Sequence, residues 1–345
     1  MTKVAIIGGS GYTGYELLRL LAGHEKVEVC AITSRQFKGT SIEDEFPSLK
    51  GFYEGRIFID ANDYTSIDAD IFFLCLPHSA GMEAVKTLIN AGKKVIDLSA
   101  DFRIKDPAIY EEWYTKHTAK ELIAEAVYGL PELYREKIRT ARLIANPGCY
   151  PTSVVLGLLP LLKDNLIDTN SIIIDSKSGS SGAGRTPGKE LNFVEESLNF
   201  KAYKVGEHRH TPEIEQELSA IAKTSLNVSF TPHLLPVSRG ILSTIYANLH
   251  GTNSTEELLK VSSEFYDGEP FIRILSSGKL PELDDVRGTN FCDIGLKVDA
   301  RTGRVIVISA IDNLTKGASG AAIQNMNLMV GFDEEEGLLT QVVSV

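Results

Sequence analysis

The N-terminal part of the chain carries strand-like segments at 4–7, 27–33, 71–76, 94–98 and 143–145, of which 4–7, 71–76 and 143–145 are unbroken apolar runs. Runs without polar alternation predict strands buried on both faces, as in a parallel sheet. Segments of helical spacing stand between them: 15–21, and 79–91 with Met82, Val85 and Ile89 on one face. This alternation predicts an α/β, Rossmann-type parallel-sheet domain. After residue 149 the pattern changes. The apolar positions Val154 to Leu162 read as a buried helix, with Pro151 at its first position, and 171–176 as a strand. Segments 228–230, 240–249, 295–299 and 304–311 alternate like antiparallel strands. They predict a second, α+β domain with a mainly antiparallel sheet. Residues 312–326 begin as a polar turn and become a helix, expected to pack back on the first domain. The expected boundaries are 1–148 completed by 312–345, and 149–311.

Length and charge narrow the function. The 345 residues exceed one typical core, which agrees with two domains. The net charge of −11, with no run of Lys or Arg, excludes a nucleic-acid or membrane footprint. Met1 runs straight into a strand without a signal-peptide core, and the apolar stretch near 154–162 is too short to span a bilayer. The four cysteines, Cys30, Cys75, Cys149 and Cys292, form no CxxC pair. Reduced thiols in a cytoplasm are expected, with Cys30 and Cys75 inert in strands.

The first strand leads into Gly9-Ser10-Gly11-Tyr12-Thr13-Gly14 and then a helix. Strand, glycine turn and helix in that order predict a dinucleotide site, the pyrophosphate lying at the helix N-terminus. About 20 residues on, an NAD site would carry an acid for the ribose 2′-hydroxyl. The chain has Thr33-Ser34-Arg35 instead. A hydroxyl and a guanidinium suit a 2′-phosphate, so the expected cofactor is NADP(H). The loops bearing Leu76 and Ser79, and Ser99 and Arg103, follow strands and are expected around cofactor or substrate.

Asn146-Pro147-Gly148-Cys149-Tyr150-Pro151-Thr152 places a thiol at a helix mouth. Unpaired N–H groups and the helix dipole there favour thiolate, the nucleophilic form. The loop Lys177-Ser178-Gly179-Ser180-Ser181-Gly182-Ala183-Gly184-Arg185 offers N–H groups, hydroxyls and a guanidinium to a phosphate, and can also serve the cofactor. His208 and His210 precede a helix read as N-capped by Thr211 with Pro212 first, and in an extended segment both would point one way. Either could act as acid or base beside Cys149. A zinc site from His-x-His and Cys149 lacks a second thiol or carboxylate nearby in sequence, so no metal is expected. Asn313 and Lys316 are placed to reach the cofactor if the tail packs on the first domain.

Nearly the whole chain resembles the N-acetyl-γ-glutamyl-phosphate reductases, relatives of the aspartate-semialdehyde dehydrogenases. The likeness rests on GSGYTG at 9–14, NPGCYPT at 146–152, SGAGR at 181–185, HRHTPEI at 208–214 and KGASG at 316–320. It implies a glyceraldehyde-3-phosphate dehydrogenase-like fold and the NADP-dependent third step of arginine biosynthesis. Cys149 would displace phosphate from an acyl phosphate, hydride would reduce the thioester, and the thiohemiacetal would collapse to the semialdehyde. Arg103, Asn146, Ser178 and Arg185 would then face the substrate. A homodimer or homotetramer joined through the second sheet is implied. Three alternatives stay open. One is the same chemistry on aspartyl phosphate or on a carrier-linked aminoadipyl or glutamyl phosphate, although the acidic charge disfavours an acidic carrier. The others are a zinc-dependent dehydrogenase and a non-enzymatic NADP-binding sensor.

Overall fold

The computed structural model describes residues 1–185 and 198–339. They form two compact units, one of residues 1–147 with the segment from 318 onward, the other of residues 148–317. The turn at 312–317, expected with the first domain, lies in the second unit, and 340–345 lie outside the described residues.

The first unit holds β1 (Thr2–Ile7), β2 (Val27–Ile32), β3 (Ile71–Leu74), β4 (Lys94–Asp97), β5 (Val127–Tyr128) and β6 (Leu143–Ala145). Their order is β2-β1-β3-β4-β6-β5 and every pairing is parallel. Val4 to Ile7 and all of β3 are buried, which is why these runs carry no polar alternation. The strand order reverses at β1, and open parallel sheets bind ligands beyond the strand ends at such a point. Helix Tyr12–Leu21 begins inside the glycine motif, three residues earlier than the spacing predicted, with Gly11 as its N-cap. Helix Gly320–Val330 is buried through Met329 and packs on helix Pro131–Thr140 and β4.

The second unit has β7 (Ile173–Gly179), β8 (Lys201–Ala202), β9 (Ser229–Leu235), β10 (Ile241–Asn248), β11 (Ile272–Ile274), β12 (Cys292–Asp299) and β13 (Arg304–Ile311). The order is β11-β12-β13-β10-β7-β9-β8, with β11–β12 and β7–β9 parallel and the other pairings antiparallel. β7 runs on to Gly179, beyond the predicted end, because β9 and β10 pair with it on both sides. Helix Cys149–Lys163 is buried from Tyr150 to Leu162 and lies on β10 and β13. Beneath it Ser153 Oγ bonds Ser243 (2.9 Å) and Ser309 (3.2 Å), which satisfies a hydroxyl inside an apolar layer. Among the described residues no helix is long and apolar enough to cross a membrane.

Candidate active site

In the second unit, Cys149 is the first residue of its helix, two positions before the predicted start at Pro151. Gly148 is extended (φ −71°, ψ 152°) and its carbonyl accepts the first helical bond, from Thr152 N at 3.0 Å. Pro151 sits inside the first turn, where its missing N–H leaves no gap. No side chain caps this helix. Cys149 is partly exposed and Cys292 is buried. Burial pushes the Cys30 thiol up, and that of Cys75 to about 12, so neither is poised as a thiolate.

Two buried carboxylates fix the turn at Cys149. Glu213 Oε1 accepts the Gly148 N–H at 2.7 Å and ties it to helix Thr211–Ala222. Asp312 accepts from Arg239 Nη2 (3.0 Å) and from the N–H groups of Leu314 (2.8 Å), Thr315 (3.0 Å) and Gly288 (2.7 Å). That anchors the turn whose Gly317 N–H meets the Asp312 carbonyl at 2.9 Å. Gly317 abuts Cys149 so closely that a β-carbon there would lie 2.8 Å from Cys149 Cβ.

The histidines do not form an extended pair. His210 is itself the N-cap (φ −80°, ψ −12°), without a side-chain cap bond, and Thr211 is already helical. The Thr211 N–H meets the His208 carbonyl at 2.9 Å, which curls the segment into a turn. The two imidazoles then pack edge to face, 4.9 Å between centres, with Tyr150 at 5.4 Å from His208 and 5.9 Å from His210. Burial, then the charges of Lys204 and Arg209, lowers His208 to about 4. Burial raises Tyr203 to about 12 and pushes Tyr150 up as well, and negative charge on Cys149 adds to both.

Nearby, Ser178 is buried in β7 and its hydroxyl donates to the Gly179 carbonyl (2.9 Å). Ser181 and Gly182 lie in the turn Ser180–Ala183, and Arg185 is exposed beyond it. Asn313 accepts from Gly240 N (2.7 Å) and donates to Ser181 Oγ (2.9 Å). Lys316 is fully buried, its Nζ 5.5 Å from the centre of the Phe271 ring.

In the first unit the glycine loop is crowded on one side and open on the other. A β-carbon on Gly14 would strike the Gly9 carbonyl at 2.4 Å, whereas one on Gly11 would meet nothing within 4 Å. The loop is therefore closed on the protein side and open at the uncapped helix N-terminus, which fits a pyrophosphate. Ser10 accepts from the buried Ser34 hydroxyl at 3.0 Å, and Arg35 is exposed beside it. Tyr12 is exposed and Thr13 half-buried at the start of the helix. Leu76 is half-buried after β3, and Ser79 is exposed with φ 68°, its N–H on Asp101 Oδ1 at 2.8 Å. Ser99 donates its hydroxyl to Asp97 (2.7 Å). Arg103 is buried and donates to the carbonyls of Asn146 (2.7 Å) and Leu98 (2.9 Å). Asn146 donates to the Ala318 carbonyl (3.0 Å) and accepts from Asn325 (3.1 Å).

Residues 3–141 match the semialdehyde dehydrogenase NAD-binding domain, and residues 149–313 the dimerisation domain of the same family. N-acetyl-gamma-glutamyl-phosphate reductase of Geobacter metallireducens is 57% identical over 98% of both chains, and that of Desulfotalea psychrophila 55% over 98% of both. The chain belongs to the N-acetyl-gamma-glutamyl-phosphate reductase family. As a member of that family it is an oxidoreductase with a nicotinamide cofactor. Aspartate semialdehyde dehydrogenase II of Vibrio cholerae, solved with ASA, shares the fold (TM-score 0.73, 18% identity, 96% of this chain and 98% of that one). So does the Candida albicans enzyme solved with NADP (TM-score 0.70, 16% identity, 96% and 98%).

For this reductase-family chain, sequence reasoning missed Glu213, Asp312, Tyr203 and the buried Asp97–Asp101 pair. Glu213 stands in the HRHTPEI motif, where a carboxylate in a first helical turn reads as an ordinary dipole partner, and only the fold shows that it is buried. Among the described residues no three His, Cys, Asp or Glu side chains cluster as a metal site.

Proposed function

We propose that the chain reduces N-acetyl-γ-glutamyl phosphate to N-acetylglutamate semialdehyde with NADPH, in arginine biosynthesis, through a thioester on Cys149. The observation that carries this reading is the position of Cys149: a partly exposed thiol opening a buried, uncapped helix. The N–H groups and dipole of that helix favour the thiolate. The sulfur attacks the acyl carbon, the bond from that carbon to the phosphate oxygen breaks, and phosphate leaves with the electron pair. When bound, the reduced nicotinamide supplies the hydride that takes the thioester to a thiohemiacetal. An imidazole of the His208–His210 pair holds a proton at the carbonyl oxygen as charge develops there. It takes the proton back as the C–S bond breaks and the thiolate is regenerated.

Gly9 to Gly14, Ser34 and Arg35, with Leu76, Ser79 and Ser99, would hold the cofactor, Arg35 reading the 2′-phosphate. Ser181, Gly182, Asn313 and Lys316 are assigned to its pocket as well, and Arg103, Asn146, Ser178 and Arg185 to the substrate. The first unit is then the cofactor domain and the second the catalytic one. The second also joins a homodimer or homotetramer in the cytoplasm, in keeping with the dimerisation-domain match.

The test is phosphate-dependent reduction of NADP with N-acetylglutamate semialdehyde, beside aspartate semialdehyde. Turnover with the acetylated substrate alone is expected. Turnover with aspartate semialdehyde alone, or with neither, would overturn the assignment.

A further inference from the structure

We infer that Tyr203 and Tyr150 are positioning residues that lock His208 as a neutral strut, leaving His210 as the imidazole that exchanges protons with the substrate. The inference rests on the Cys149 chemistry proposed above for its catalytic half, and on hydrogen-bond geometry for the rest. Four contacts run in series. The His210 N–H meets His208 Nδ1 at 3.1 Å. His208 Nε2 lies 3.5 Å from the Tyr203 hydroxyl, and that hydroxyl 3.0 Å from the hydroxyl of Tyr150. The Tyr150 hydroxyl reaches the His233 carbonyl at 3.4 Å.

Both ends of this chain are backbone groups with fixed roles, since an N–H only donates and a carbonyl only accepts. An Nδ1 that accepts carries no proton, so the neutral His208 ring holds its proton on Nε2 and donates it to Tyr203. Tyr203 then donates to Tyr150, and Tyr150 to the carbonyl. No other assignment satisfies all four contacts. Charging His208 would place a proton on Nδ1, facing the His210 N–H. The other groups around the ring oppose that charge too. Tyr150, Phe230, Tyr203 and His210 enclose it at 5.4, 5.4, 5.5 and 4.9 Å, and Lys204 and Arg209 add positive charge. Negative charge on Cys149 bears on the two tyrosines. His208 is thus spent on holding the backbone of His210 in place.

The experiment is histidine-selective 15N NMR of the full chain, with His208 assigned through His208→Gln, alongside steady-state kinetics. In the wild type, His208 is expected to stay neutral and Nε2-protonated from about pH 5.5 to about pH 8. Tyr203→Phe keeps the ring and removes only the acceptor. His208 should then stay neutral with its Nε2–H signal shifted by loss of the acceptor, and kcat should fall about ten-fold with KM changed less than about two-fold. Tyr150→Phe should act in the same direction. A wild-type His208 protonated on Nδ1, or titrating like an ordinary histidine, would overturn the inference. So would a Tyr203→Phe chain with spectrum and kcat unchanged. The spectra need no substrate, so an inactive wild type with a locked His208 would count against the proposed reaction alone.

Discussion

A β-carbon on Gly317 would stand 2.8 Å from Cβ and 3.2 Å from Cα of Cys149, closer than packed carbons approach. The turn bearing Gly317 is held by Asp312, which is fully buried and whose carbonyl would lie 3.3 Å from the same β-carbon. The added methyl of Gly317→Ala must therefore displace the thiol rather than the turn. We expect kcat to fall about a hundred-fold, the effect of a shift near 1 Å at a reacting atom. Stability should fall by about 1–3 kcal/mol, as for overpacking elsewhere. Kinetics on a variant shown to be folded by circular dichroism checks this. Unchanged kcat would mean that the contact does not position the sulfur.

Cys149→Ser should cost at least on the order of a thousand-fold in turnover, as removal of a covalent nucleophile does. NADP affinity should stay within about two-fold, because serine is nearly isosteric with cysteine and the residues assigned to the cofactor are unchanged. Fluorescence titration measures the second quantity and initial rates the first. Near-wild-type rates would rule out the thioester route.

Several parallel strands were legible because burial on both faces leaves an unbroken apolar run, a mark carried by Val4–Ile7 of β1 and by all of β3 and β6. Helix starts were less so. Proline is tolerated throughout a first turn, so Pro151 and Pro212 signalled a start without saying which residue came first. Tertiary pairing, absent from any local pattern, carried β7 on to Gly179. The residues that went unread act across long separations. Glu213 bonds Gly148, 65 positions away, and Arg239 bonds Asp312, 73 positions away. A guanidinium such as that of Arg103 looks in sequence like a hand for the substrate. In the fold, two of its nitrogens clamp the backbone of Leu98 and Asn146.

Arg35 is exposed beside the buried Ser34, at the end of the strand that in NAD sites carries an acid. A charge-assisted hydrogen bond to a 2′-phosphate contributes about 1.5–3 kcal/mol. Arg35→Asp should therefore weaken NADP about ten- to a hundred-fold while changing NAD less than about three-fold. Paired titrations with the two dinucleotides decide the matter. Equal losses would show that Arg35 does not read the phosphate.

Asp97 is fully buried, and its Oδ1 and the Oδ2 of Asp101 each lie 3.8 Å from the β-position of Gly81. Burial first, and then the Asp101 charge, pushes Asp97 up to about 7 from an ordinary 3.8. Between those values the folded chain binds a proton that the unfolded chain has released. Stability is therefore highest below the unfolded value and falls as pH rises through the window, levelling off above about 7. Asn at this position cannot ionise, yet its carbonyl can still accept the Ser99 N–H, which Asp97 takes at 3.0 Å. Denaturant melts at about pH 5 and about pH 8 should show the wild type losing roughly 2 kcal/mol more than Asp97→Asn. Parallel pH profiles for the two proteins would mean that Asp97 keeps an ordinary carboxylate charge inside the fold, with Arg103 offsetting the cost of its burial.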